Sequence, residues 1–92
     1  MATIHATCQG IAFDVDEDTL ASWDVLEAIT DMQSGGAEAA TAAVRYARIV
    51  FGREQFAAIK KQLPDNGLQT VMAFLRQSLD ALAQAKGENP KN

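Results

Sequence analysis

Apolar and polar positions alternate along residues 3–15. Ile4, Ala6 and Cys8 fall on one side and His5, Thr7 and Gln9 on the other; Ile11, Phe13 and Val15 then alternate with Ala12 and Asp14. A period of two belongs to strands, and Thr, Ile, Phe and Val suit a pleated surface. Gln9-Gly10 lies between the runs, where glycine supplies the positive φ of a tight turn. The pattern predicts a β-hairpin over 3–15. A lone hairpin is marginal in water, so its apolar face should pack on the segments that follow.

Beyond residue 17 the period lengthens to that of helices. A first helix is expected over about 18–33, opened by the carboxylates of Asp14 to Asp18, which suit a helix N-terminus. Val25, Leu26, Ile29 and Met32 fall within about 120° of one another and form its core stripe. Asp24, Glu27 and Asp31 gather on the opposite side, with Trp23 at the border. Ser34-Gly35-Gly36 ends the helix. A second, Ala-rich helix is expected over 37–51, with Ala40, Ala43, Val44, Ala47, Val50 and Phe51 inward and Arg45, Arg48 and Ile49 outward. Gly52 stops it. A short third helix over 53–63 places Phe56, Ile59 and Leu63 at i, i+3, i+7, and Pro64-Asp65-Asn66-Gly67 makes a turn. The clearest stripe is Leu68, Val71, Met72, Leu75, Leu79 and Leu82, which predicts a fourth helix over 67–86. Residues 88–92 read as a disordered polar tail. The expected fold is α+β, mainly α: one domain over 1–87, with an N-terminal hairpin packed on a small bundle of three or four helices.

Length and charge sharpen this. A chain of 92 residues can bury roughly 60–65% of its unfolded surface, enough for one core without metals or disulfides. Cys8 is the sole cysteine, which fits a reducing compartment. No apolar run approaches the roughly 18–20 residues of a membrane span, and Met1-Ala2-Thr3-Ile4-His5 lacks the blocks of a signal peptide, so a cytoplasmic protein is expected. The charges are segregated. Residues 1–44 hold eight acids and no Lys or Arg; all eight basic residues come later, with four acids. The two parts carry −8 and +4, giving the net −4. Such asymmetry either steers association between copies or with a basic partner, or is neutralised inside one fold.

Catalytic and metal chemistry find little footing. His5 and Cys8 are three apart on a strand and face opposite sides, so they make poor co-ligands for zinc. Gly35-Gly36 is not followed by the Lys and Ser or Thr of a phosphate loop. The one histidine has no motif-placed serine. Asp14–Asp18 lacks the spaced, glycine-containing ligand run of a calcium loop. Gln77-Ser78-Leu79 lacks the aspartate of the Asp-Ser-Leu triplet of acyl carriers and lies inside a helix. No catalytic residue, cofactor or metal is therefore expected. The stronger rival is a small DNA-binding regulator, since Arg45, Arg48, Arg53, Lys60 and Lys61 cluster over two short helices that could form a helix-turn-helix. An isoelectric point near 4.7 and the acidic first half argue against a broad phosphate footprint.

Read in order, most of the chain resembles the tail assembly chaperones of long-tailed phages and prophages. The resemblance rests on the strand and acidic opening Gly10-Ile11-Ala12-Phe13-Asp14-Val15-Asp16-Glu17-Asp18-Thr19-Leu20. It continues with the helix start around the tryptophan, Ser22-Trp23-Asp24-Val25-Leu26-Glu27, and the phrase Ile49-Val50-Phe51-Gly52-Arg53-Glu54-Gln55-Phe56. A final amphipathic helix, Val71 to Leu82, and the polar close Lys91-Asn92 complete it. The order and spacing of these pieces carry the likeness more than any one of them. The Ala-rich second helix and Arg53 depart from the commoner acidic, leucine-rich versions.

The resemblance implies assembly rather than catalysis. Such chaperones coat the long, aggregation-prone tape measure protein until tail tube subunits polymerise around it. They act in the cytoplasm of the bacterial host and are not expected in the mature virion. A longer form, made by ribosomal frameshifting near the end of the short reading frame, is thought to recruit the tube protein. Pro90-Lys91-Asn92 can be encoded with an A AAA AAC heptamer of the slippery type. The partners implied are tape measure protein, tail tube protein and further copies of the chain, with neither nucleic acid nor membrane. The expected contact surface is the outward stripe Asp24, Glu27 and Asp31 with Trp23 at its edge. The competing reading makes Trp23 core and the three acids merely solvated.

Overall fold

The computed structural model describes residues 2–87. Two antiparallel strands, β1 (Thr3–Cys8) and β2 (Ile11–Asp16), form the hairpin, paired from Thr3↔Asp16 to Cys8↔Ile11. Gln9 and Gly10 both take positive φ, 55° and 79°, as a two-residue turn matched to strand twist requires. Ile4, Cys8, Ile11, Phe13 and Val15 are buried while Thr3, His5 and Thr7 are exposed, so the alternation read from sequence gives the correct inner face.

Five helices follow: α1 (Glu17–Leu20), α2 (Trp23–Ser34), α3 (Ala39–Val50), α4 (Gly52–Gln62) and α5 (Leu68–Gly87). The mainly helical α+β architecture is as expected. The first helix is not one piece, however. Asp16 caps α1, its carboxylate accepting the Thr19 amide and hydroxyl at 3.0 Å each. The chain then breaks at Ala21, and Ser22 caps a new helix by accepting the Val25 amide at 3.3 Å. Two good N-cap residues six apart divide a stretch that periodicity alone treats as continuous. The other helix bounds differ from expectation by one or two residues, the ordinary uncertainty of helix ends. The expected disordered tail, 88–92, lies outside the described residues.

The core is centred on four aromatic rings in edge-to-face contact. Phe13 of β2 meets Phe51 at 5.1 Å and Phe74 of α5 at 6.0 Å, and Phe51 meets Tyr46 of α3 at 5.9 Å. This chain joins hairpin, α3 and α5. The phrase Gly52-Arg53-Glu54-Gln55-Phe56 has a structural meaning here. Gly52 turns α3 into α4 at φ 78°, a conformation costly to residues with a Cβ. Phe56 enters the core. Gln55 pairs with the outer edge of β2: its Oε1 accepts the Asp14 amide and its Nε2 donates to the Asp14 carbonyl, both at 2.9 Å. A side-chain amide thus satisfies a strand edge that would otherwise stand open at that residue. At the α4–α5 turn, the Asp65 carboxylate accepts the Gly67 amide at 2.7 Å and the Thr70 hydroxyl at 3.0 Å, fixing the start of α5.

Three helical stripes are turned relative to expectation. In α2 the buried set is Val25, Ala28 and Met32, with Ile29 half-buried; Leu26, assigned to the core, is 50% exposed. Rotating the stripe by roughly 50° accounts for this, at about 100° per residue. In α3, Ala39, Ala42 and Tyr46 are buried and Val44 is 41% exposed, whereas Val44 was expected inside. In α5, Phe74 and Ser78 are fully buried, and Leu68 at the helix start is 60% exposed. Alanine lets α2 and α3 approach closely, so small residues occupy the contact and larger ones stand beside it. Among the described residues no helix is long and apolar enough to cross a membrane.

Candidate protein-contact surface

The outer face of α2 follows from where Ser22 starts the helix. With Trp23 as the first helical residue, Val25, Ala28 and Met32 point to the core. Trp23, Leu26, Glu27, Thr30 and Asp31 point away and line one shallow concavity. Trp23 is 70% exposed, so it is not a core residue. Its indole Nε1 donates to Glu27 Oε2 at 3.0 Å, one helical turn on, which holds the ring along the helix. Of the four residues singled out in the sequence, Trp23, Glu27 and Asp31 come together here; Asp24 is exposed on the same helix but does not line the concavity. Leu26 is the member that periodicity missed, because it was placed in the core.

Asp31 is engaged by the next helix. Arg45 Nη2 of α3 donates to Asp31 Oδ2 at 3.1 Å, and both side chains are about half exposed. The surface continues past Arg45 along α3 through Thr41, Val44 and Arg48. It then widens into a groove between α3, α4 and the start of α5. Val44, Phe56, Leu68 and Val71 supply its apolar lining, and Arg48, Arg53 and Lys60 its charge. Lys60 Nζ sits 4.8 Å from the Phe56 ring centroid, a cation–π contact. Of the basic cluster read from the sequence, Arg48, Arg53 and Lys60 gather here, Arg45 is committed to Asp31, and Lys61 does not line the groove.

The other sequence candidates for chemistry are dispersed. His5 Nδ1 lies 2.6 Å from Asp14 Oδ1 on the solvent face of the hairpin, across a directly opposed pair. Cys8 is buried behind it, with Sγ 4.0 Å from the Phe74 carbonyl, and burial first and Asp80 second push its thiol pKa up. A raised pKa makes the thiol a poor nucleophile. Ser78, the serine of the carrier-like triplet, is fully buried and cannot present a prosthetic group. Among the described residues no three or more of His, Cys, Asp and Glu are grouped to hold a metal ion. No family model, curated protein or solved structure matches the chain.

Proposed function

We propose that the protein is a non-catalytic tail assembly chaperone of a long-tailed phage or prophage, working in the host cytoplasm on a tape measure protein. The observation that carries this reading is the outer face of α2. A tryptophan 70% exposed beside a leucine 50% exposed, flanked by Glu27 and Asp31, is what a protein contact offers. Tryptophan anchors supply much of the energy of interfaces when a partner covers them. The order of sequence phrases described above supplies the class of partner. A coat on a long client works through many copies of modest affinity, so that avidity holds it and tube subunits can displace it. In this reading the α2 face meets either the client or a neighbouring copy within the coat. Tail tube protein would be recruited through a frameshifted longer form.

The test begins with the gene. A slippery A AAA AAC across the codons for Pro90 to Asn92, an overlapping second frame and then a very long helical reading frame are expected. The product of that long frame, co-expressed with this chain, should co-purify with it. Reversing Asp24, Glu27 and Asp31 to lysine should abolish recovery while leaving the fold intact. Unrelated neighbouring genes would sink the reading; undiminished recovery with the triple reversal would show that the acidic stripe of α2 is not the contact.

A second reading has one observation behind it. Arg48, Arg53 and Lys60 converge on one groove, as a small DNA-binding regulator would need. Salt-dependent retention on DNA, lost on reversing those three charges, would favour it.

A further inference from the structure

The α2 face and the basic groove belong to one strip of surface. Asp31 of the former is joined to Arg45 at 3.1 Å, Arg45 and Arg48 flank the same exposed stretch of α3, and Val44 and Arg48 line both that stretch and the groove. Four large hydrophobic residues are exposed among the described residues, namely Trp23, Leu26, Val44 and Leu68. All four lie on this strip, two at its acidic end and two in its basic groove. Apolar side chains scattered at random over a surface would not collect in this way, and a contiguous patch rimmed by charge marks an interaction site.

Among the described residues the charges at the two ends are unmatched. Arg45 neutralises Asp31, yet Asp24 and Glu27 form no ion pair among the described residues, and neither do Arg48, Arg53 and Lys60. The strip thus holds an acid-flanked apolar patch and, contiguous with it, a base-flanked apolar groove. The partner that supplies both complements at once is a second copy of the same chain.

We infer that two copies pair through this strip about a two-fold axis, with Trp23 and Leu26 of each copy entering the Val44–Leu68 groove of the other. Glu27 and Asp24 then face Arg48, Arg53 and Lys60 of the partner, and the indole lies against guanidinium and ammonium groups that favour an aromatic face. Under a two-fold axis every such contact occurs twice, and exposed α3 around Thr41 and Arg45 lies nearest the axis. The pairing deepens the reading of the α2 face as a protein contact. It rests on that reading, not on the assignment to tail assembly.

The test uses the purified chain alone, with mass followed by sedimentation or light scattering over a wide concentration range. Trp23→Ala should weaken the pair by tenfold or more, about the effect of removing an interface anchor. An acid-end variant (D24K with E27K) and a groove variant (R48E with K60E) should each stay monomeric, since like charges then meet at both contacts. An equimolar mixture of the two should regain the dimer mass, because each reversed end now faces its opposite. Circular dichroism on every variant separates loss of pairing from loss of fold. A wild-type chain that stays monomeric, growth past the dimer, association indifferent to these variants, or a mixture that fails to restore it would each overturn the pairing. A monomer that still recovers the tape measure protein would leave the tail-assembly reading standing. A dimer whose gene has no such neighbour would do the reverse.

Discussion

The Tyr46 hydroxyl of α3 lies 2.8 Å from the Ser78 Oγ of α5, with both side chains fully buried. Its direction follows from a second contact. Ser78 gives its single proton to the Leu75 carbonyl at 2.6 Å, so Tyr46 donates and Ser78 accepts. One buried polar contact thereby ties the second long helix to the last.

That direction makes the two deletions unequal. Ser78→Ala leaves the Tyr46 hydroxyl buried with no acceptor and should cost about 1–3 kcal/mol, the penalty of an unsatisfied buried group. Tyr46→Phe leaves Ser78 still bonded to Leu75 and should cost about 0.5–1.5 kcal/mol. The double variant should be more stable than the sum of the two losses implies. Urea unfolding of the four proteins checks the order; equal single losses that simply add would show that the pair does not act as a unit.

The same burial sets an alkaline limit. Desolvation pushes the Tyr46 pKa from 10.0 up to about 12, with Cys8 adding to the rise. The folded state therefore holds the phenolic proton more tightly than the unfolded state does. This stabilisation is present in full below pH 10 and is lost as pH climbs from 10 towards 12, on the order of 2–3 kcal/mol in all. Tyr46 is the sole tyrosine, so near-ultraviolet tyrosinate absorbance reads its titration directly. Tyr46→Phe should remove this part of the pH dependence. Titration near 10 in the folded chain would show that the hydroxyl is not shielded.

Gln55 offers a test of how the hairpin is held to the helices. Gln55→Glu keeps the acceptor for the Asp14 amide but replaces the donor that serves the Asp14 and Phe51 carbonyls, at 2.9 and 3.2 Å. A carboxylate facing two carbonyls should cost about 1–2 kcal/mol at neutral pH. The deficit should narrow below about pH 4, where a protonated carboxyl can donate again. Thermal melts at the two pH values check this. A deficit that does not change with pH would place the loss in packing.

The hairpin, its inner face, the turn at Gln9-Gly10 and the count of long helices were legible in the sequence, because a period of two admits only two faces. The helical faces were harder. Leu26 and Val44 lie beside their stripes by residue spacing, and only tertiary packing decided that Ala28 and Ala42 would be inside instead. Hydrophobicity ranks leucine above alanine for burial, but close approach of α2 to α3 ranks the smaller residue first. Phe74 and Ser78 were missed because the regular leucine spacing of α5 drew the stripe to one side of its true centre. The acidic half of the contact surface was legible from Trp23, Glu27 and Asp31. Of the basic groove, the charges Arg48, Arg53 and Lys60 were legible as a cluster, but the groove itself was not, since it is assembled from α3, α4 and α5 across residues 44 to 71, and nothing in the local pattern brings Val44 to Leu68.

Trp23 carries the last prediction, because it separates a surface role from a packing role in one residue. It is 70% exposed, and its one hydrogen bond, to Glu27, lies in solvent. Trp23→Ala should therefore change stability by no more than about 0.5 kcal/mol, as for surface positions generally. Since it is the sole tryptophan, its fluorescence reports this face alone. At low concentration the emission should be that of a water-exposed indole, readily quenched by iodide. When a partner covers this face, emission should shift to the blue and quenching should fall, with or without a change in global stability. An indole already blue-shifted and protected in the isolated monomer, together with a large loss of stability on Trp23→Ala, would return Trp23 to the core and remove the contact surface built around it.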